Sequence, residues 1–289
     1  MKVSEYIKKL DEELNKQELK VEELYRLEKI KEIAREYDGE SKVVSSQELE
    51  EIVRNRPEEE KMMTGIEGFD RLLDGFRREQ LIILSAGTGV GKTTFAMELT
   101  TRLRRYRPLW LSYEQSTEEL VGGFVERGEM VPEFYAPLSM TDNTKEWIEN
   151  KIVEGIAKWG SNIVFIDHLH YIIPFTTARH DLAVGDMVRH LKHLAKKWNI
   201  VIVLISHLRK VELDKKPTVA DLKDSSAIGQ ECDTLIMLYR ESQNGIMTND
   251  VAVAVQKNRK KGRLGIVKMC FDGKKFYEFE WGERVNDKV

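Results

Sequence analysis

Ala86-Gly87-Thr88-Gly89-Val90-Gly91-Lys92-Thr93 is a stretch that could close around a chain of phosphates. It follows the apolar run LIILS and opens a segment with helical apolar spacing. That strand–loop–helix context is what a phosphate-binding loop requires. Glycines let backbone N–H groups turn inward around phosphate oxygens, and the helix N-terminus adds partial positive charge. Lys92 would reach the β- and γ-phosphates, and Thr93 would bind Mg²⁺. Thr94 joins the nucleotide-binding residues of the same turn. Ala86 stands where the pattern has its first glycine. Three glycines remain, so the nest can still form.

A bound Mg²⁺ needs an acid. Asp167 follows the buried run NIVFI, at the carboxyl edge that a parallel sheet shares with its phosphate loop. A helix N-cap after the strand is the other reading. Hydrolysis also needs a group to orient or deprotonate water. Glu114, in PLWLSYEQS, lies just beyond another buried run, where it reads equally as a surface residue starting a helix. His207 closes VIVLISH. A neutral imidazole there can sense a γ-phosphate, although a lone histidine taken by itself reads first as structural. Further on, the alternation of Val251, Val253 and Val255 ends in Lys257, Arg259, Lys260, Lys261 and Arg263. These cations fit a solvated hairpin, a nucleic-acid patch or a reach into another subunit.

The elements that must position these residues can be read from hydrophobic patterning. The chain of 289 residues is 41% apolar and 33% charged, enough for one large α/β core with a small appendage. Residues 1–38 carry a thin apolar stripe at helical spacing, which implies a helix that leans on something else. Ser45-x-x-Glu48 predicts a capped helix to about Arg54, and Pro57 with the acidic run after it reads as a hinge. From Met62 the texture changes. Residues 81–85, 108–112, 162–166, 199–206, 234–239, 250–256 and 265–271 are apolar runs, with helical segments between the earlier ones. They predict an α/β fold with a mostly parallel sheet covered on both faces, a C-terminal antiparallel hairpin and a helical N-terminal extension. The domains are expected at 1–60 and 61–289.

Composition narrows the function classes. No stretch reaches the roughly 18 apolar residues of a membrane span, and the N-terminus lacks a secretory core. Cys232 and Cys270 form no metal or disulfide spacing, so a reducing cytoplasm is expected. The net charge of −3 hides an asymmetry. Residues 1–60 hold 12 Lys/Arg against 18 Asp/Glu, and the rest 34 against 31. The acidic surplus sits in the extension, so the total does not argue against nucleic acid.

Taken together, these motifs resemble the DnaB-type ring helicases, RecA-fold motors that include bacterial DnaB, Twinkle and the helicase half of phage primase-helicases. TGIEGFDRLLDGFRREQLIILSAGTGVGKTTFA resembles the family's approach to its phosphate loop. SYEQS resembles the segment with its catalytic Glu, IVFIDHLHYI its Walker B strand and VIVLISHLRK its phosphate-sensor strand. PTVADLKDSSAIGQECDTLIMLYR resembles its DNA-loop segment and VQKNRKKGRLG its cationic hairpin. The likeness spans about Met62 to Glu280, with the motifs in family order.

The resemblance implies a RecA-like ATPase core using ATP and Mg²⁺, with Glu114 as base and His207 as sensor. It implies that Lys257 and Arg259 cross a subunit boundary to the γ-phosphate, and that Lys260, Lys261 and Arg263 are turn or phosphate-facing residues. Arg240 and Phe271 would sandwich the nucleotide base. Single-stranded DNA would meet Arg209, Lys210, Lys215, Lys216, Ser225 and Ser226, or the loop at 174–185. A homo-oligomer, a hexamer, is implied, with primase or other replication proteins as partners and no membrane. RecA/RadA-like recombinases and KaiC-like ATPases share the fold and entry, but DLKDSSAIGQ and the KNR hairpin favour the helicase. Against a non-hydrolysing loading adaptor stand both Glu114 and Arg259.

Overall fold

In the computed structural model the described residues are 8–9, 11–12, 28, 43–56, 58–128, 130–173, 180–208, 217–222, 225–243 and 246–278. The chain divides into two units, Met1–Glu58 and Glu59–Val289. In the first, α1 (Ser46–Arg54) forms as the spacing predicts. Ser45 accepts from the Glu48 amide, and the Glu48 carboxylate accepts from the Ser45 amide at 2.9 Å. None of its residues is buried, so it rests on local hydrogen bonds. The helix expected over residues 1–38 falls outside the described residues, except 8–9, 11–12 and 28, which are helical.

The second unit is built on β1 (Leu81–Ala86), β2 (Leu109–Ser112), β3 (Ile163–Asp167), β4 (Val201–His207), β5 (Thr234–Gln243), β6 (Ile246–Asn258), β7 (Gly265–Phe271) and β8 (Phe276–Glu278). They form one sheet in the order β2-β3-β4-β1-β5-β6-β7-β8. The first five in that order run parallel, and β5 to β8 are antiparallel neighbours. Every residue of β1 is buried, because both faces of the sheet are covered. Ile82, Leu84 and Ala86 face one core with α2 (Glu67–Leu73), α3 (Lys92–Arg102) and α4 (Thr117–Glu126). Leu81 and Ile83 face the other, with α5 (Lys145–Trp159), α6 (His180–Lys197) and α7 (Ser225–Glu231). The period-two alternation of a strand thus splits one apolar run between two cores.

Three details depart from the expectations. β8 was not anticipated, being three residues among charges. It is tied back to α2, whose first amides at Glu67 and Gly68 donate to the Glu278 carboxylate at 2.8 and 2.6 Å. β5 runs on past Tyr239 to Gln243, carrying Arg240 within the strand. The loop expected at 174–185 is helical from His180 onward, because the apolar positions Val184, Val188 and Leu191 continue back into it. No helix among the described residues is long and apolar enough to cross a membrane.

Candidate nucleotide site

The phosphate loop leaves β1 at Ala86, which pairs with His207 of β4 and Leu238 of β5. Ala86 is a fully buried strand residue, so a methyl group is accepted where the motif has glycine. The glycines that matter lie further on. Gly89 and Gly91 have φ of +76° and +100°, which other residues adopt only under strain. A Cβ on Gly91 would also sit 3.2 Å from Phe276 and 3.3 Å from Phe271. Gly91 then starts α3 with no side-chain cap, leaving the first amides of the helix for another acceptor. Gly87, Thr88 and Val90 complete the turn, and Lys92, Thr93 and Thr94 form the first turn of α3.

Register brings the acid to the same edge, since Asp167 ends β3 opposite Ser112 of β2. The Thr93 hydroxyl donates to Asp167 Oδ2 at 2.9 Å. Asp167 Oδ1 is buried with no hydrogen-bond partner. The cap of the following turn is His168, so the N-cap reading of Asp167 does not hold. Burial pushes the Asp167 carboxyl up to about 6, with the nearby Glu114 carboxylate adding to it, against the Thr93 hydrogen bond and Lys92. Lys92 is itself buried, its amine 3.3 Å from the Gly87 carbonyl. Burial lowers its pKa, while Asp167 and Glu114 act in the opposite sense.

These shifts make a testable stability statement. A carboxyl raised from 3.8 to about 6 binds its proton more tightly folded than unfolded. Stability without nucleotide therefore falls as pH rises from the unfolded value through about 6. Two pKa units correspond to about 3 kcal/mol at most. Asp167→Asn is expected to remove this slope and to be more stable than the native chain at pH 8 than at pH 5. Chemical unfolding at the two pH values is the measurement, and an unchanged slope would contradict it.

Glu114 lies in the bend after β2, its amide 3.3 Å from the Asp167 carbonyl. The next helix starts at Thr117 under a Ser116–Glu119 capping box, so Glu114 does not start it. Its carboxylate, 39% exposed, approaches His168 Nε2 at 3.6 Å. His207 stands edge-on to His168, ring centres 4.3 Å apart. Glu114, His168 and His207 each bring one ligand-type atom within 4.8 Å of the others. His168 was missed by the sequence reading. Its only signal was a second polar residue directly after the Walker B aspartate.

The hairpin cations lie elsewhere. Lys257 donates to the Gly229 and Gln230 carbonyls at 2.8 and 3.0 Å, and Arg259 to Gln230 at 3.0 Å. Both thus sit at the C-terminus of α7, where carbonyls and the helix dipole favour cations. Asn258 pairs with Thr234, which pairs with Ile82, whereas the phosphate loop starts at Ala86. The cations therefore lie at the amino edge of the parallel strands, a strand length of about 13 Å from their own loop. Lys261 reaches Asp74 at 3.0 Å, Lys260 is 3.8 Å from Glu59, and Arg263 donates to the Arg71 carbonyl. These three are turn residues tied to their own chain.

Arg240 and Phe271 do meet, but on each other, the guanidinium 5.2 Å from the ring centre. A base between them needs about 7 Å, two van der Waals separations. Phe271 also stacks on Phe276 at 4.5 Å. Arg209, Lys210, Lys215 and Lys216 lie outside the described residues, as do 174–179. Ser225 and Ser226 begin α7, and only their backbone is described.

Known proteins share this arrangement. The family model "DnaB-like helicase C terminal domain" matches residues 61–133 and 134–280. Replicative DNA helicase DnaB of Geobacillus stearothermophilus is 27% identical over 259 residues, 76% of this chain and 57% of that protein. A probable replicative DNA helicase of Trieres chinensis is 24% identical over 264 residues, covering 75% of this chain and 57% of that protein. The chain thus spans little more than half the length of these relatives. The solved structure of a helicase ATPase domain superposes with a TM-score of 0.67 at 21% identity, covering 81% of this chain and 96% of that one. A DnaB-like replicative helicase, described with its interactions with primase, gives 0.69 at 18% identity, covering 96% and 76%. At these identities the two structures establish the fold, a RecA-like α/β core with a mostly parallel sheet and C-terminal antiparallel strands. On the family model, which accounts for most of its length, the chain belongs to the DnaB-like helicase C-terminal domain family.

Proposed function

We propose that this chain is the motor of a ring-shaped, ATP-dependent DNA helicase that hydrolyses ATP between subunits while moving on single-stranded DNA. One observation carries the reading: Lys92, Thr93, Asp167 and Glu114 gather at one edge of the sheet, and Lys257 and Arg259 lie at the other. A complete site then needs two copies, one giving loop, acid and base, the next giving cations. A closed ring, here a hexamer, repeats that pairing without leaving an incomplete end.

In this mechanism the backbone amides of residues 86–94 and the Lys92 amine hold the β- and γ-phosphate oxygens. Glu114 takes a proton from water as the water oxygen bonds to the γ-phosphorus. The bond from that phosphorus to the bridging oxygen breaks, and ADP leaves with the electron pair, giving ADP and phosphate. Lys257 and Arg259 of the neighbouring copy stabilise the charge that develops on the transferred group. The Thr93 hydroxyl and the partnerless Asp167 Oδ1 fit a hard, oxygen-seeking cation such as Mg²⁺. When bound, Mg²⁺ neutralises charge on the phosphate oxygens. His207 would sense the γ-phosphate. Arg240 and Phe271 would hold the base once the arginine swings off the ring.

The segment bearing Arg209, Lys210, Lys215, Lys216, Ser225 and Ser226 would meet the DNA backbone. Binding should show little base preference and fall steeply with salt. A primase is the proposed protein partner, in keeping with the structural neighbour described with one. Action in the cytoplasm suits two free cysteines, Cys232 and Cys270.

ATPase activity with and without single-stranded DNA, read beside mass in solution and strand separation, tests the whole reading. Strand exchange without separation would overturn it. Glu114→Gln tests the base, because an amide cannot take the proton. We expect it to bind ATP and assemble normally but to turn over about 10²–10⁴-fold more slowly. Near-native turnover would move the role to another carboxylate.

A further inference from the structure

We propose that His168 is a positioning residue for Glu114, its Nε2–H holding the carboxylate in the orientation from which it takes the proton. The inference rests on Glu114 being the base.

The ring's own hydrogen bonding carries the argument. His168 Nδ1 accepts the His170 amide at 3.2 Å. In the neutral imidazole one nitrogen accepts and the other carries the hydrogen, so the hydrogen of His168 is on Nε2. Nε2 is the atom that faces Glu114, 3.6 Å from Oε2. A donor faces an acceptor, a few tenths of an ångström beyond hydrogen-bond distance. Such catalytic contacts are commonly long without ligand and tighten when substrate arrives.

The two partners differ in mobility. His168 is 7% exposed, capped by the His170 amide, with Tyr171 at 4.7 Å and His207 at 4.3 Å between ring centres. Glu114 is 39% exposed on a long side chain, and Asp167 bears the same charge beside it. Left to itself, the carboxylate would lean towards solvent, away from Asp167 and the phosphates. A fixed N–H opposes that tendency and shortens the search for the productive rotamer.

The same three side chains have the spread of a metal site. That reading conflicts with the ring. A metal on Nε2 requires the hydrogen on Nδ1, which is the atom accepting the His170 amide.

Substitutions separate positioning from support of the 169–172 turn. In H168Q an amide N–H comes close to the place of Nε2, and the Nδ1 acceptor is lost. In H168N the amide oxygen replaces Nδ1, and the donor towards Glu114 is lost. We expect H168A and H168N to lower kcat about 10–100-fold with nucleotide affinity near native, and H168Q to recover most of the loss. In an E114Q background H168A should cost nothing further, since the group it positions is gone.

The measurements are kcat, KM and affinity for a fluorescent ATP analogue, with melting followed by circular dichroism. Activity in H168N but not H168Q would overturn the proposal, as would a loss confined to nucleotide affinity or additive losses with E114Q. If H168A does not fold, the comparison of H168Q with H168N decides. E114Q with near-native turnover would remove the base and this proposal together. E114Q inactive beside fully active H168A would remove this proposal alone.

Discussion

Lys92→Ala is expected to abolish ATP turnover, by about 10³-fold or more, and to weaken nucleotide binding. The reason lies in its setting. The amine is buried beside the Gly87 carbonyl, with Asp167 and Glu114 near. Burial lowers its pKa, so the empty pocket disfavours the charge that phosphates would favour. The linkage gives a second expectation. A lysine whose folded pKa lies below its unfolded value makes the fold less stable wherever it is protonated in the unfolded chain. Removing it should therefore leave melting without nucleotide unchanged or raised at neutral pH, while nucleotide should stabilise the variant less than the native chain. Calorimetric melting with and without ATP, beside an ATPase assay, checks both. Near-normal turnover would mean that this loop is not the working site. Loss of activity with an equal loss of stability would mean that Lys92 supports the fold.

What could be read from the sequence depended on how local each demand is. The phosphate loop was legible because Gly89 and Gly91 need backbone angles that few residues adopt, and the apolar run before Ala86 fixes where the loop begins. The strands were legible as apolar runs, but their order was not. The pairing of Ala86 with His207, and of Ser112 with Asp167, joins segments far apart in sequence. Such pairings depend on how the helices fill the two faces. β8 escaped because Phe276 and Glu278 act through distant partners, Phe271 and the start of α2. Arg240 and Phe271 were legible as a pair at strand ends, but not that they would close on each other. His168 escaped for a related reason. A histidine after an aspartate carries no pattern, and its interest arises when Glu114 folds over from β2 to face it.

The opening ambiguity of the hairpin, between solvated turn, nucleic-acid patch and reach into another subunit, bears on the remaining large effect. Arg259→Ala is expected to bind ATP yet hydrolyse it about 10³–10⁵-fold more slowly, the range for a cation supplied to the transferred phosphoryl group. Strand register makes a cis role hard to build. Arg259 is held near Gln230 and Asp233 at the amino edge, while its own phosphate loop opens at the carboxyl edge. If it acts on the neighbour, mixing is informative. An Arg259→Ala chain keeps its own loop and base, and a Lys92→Ala chain keeps its own finger. In a mixed ring some interfaces pair the intact loop of one with the intact finger of the other, so ATPase activity should partly return. A finger acting in cis could not be rescued, because no chain in the mixture has both parts. Full recovery is not expected, since firing around a ring is interrupted by dead neighbours. The measurement is DNA-stimulated ATPase across mixing ratios, after subunit exchange has been verified. Activity that never exceeds both parents would count against the trans role, and a fully active monomer would end it.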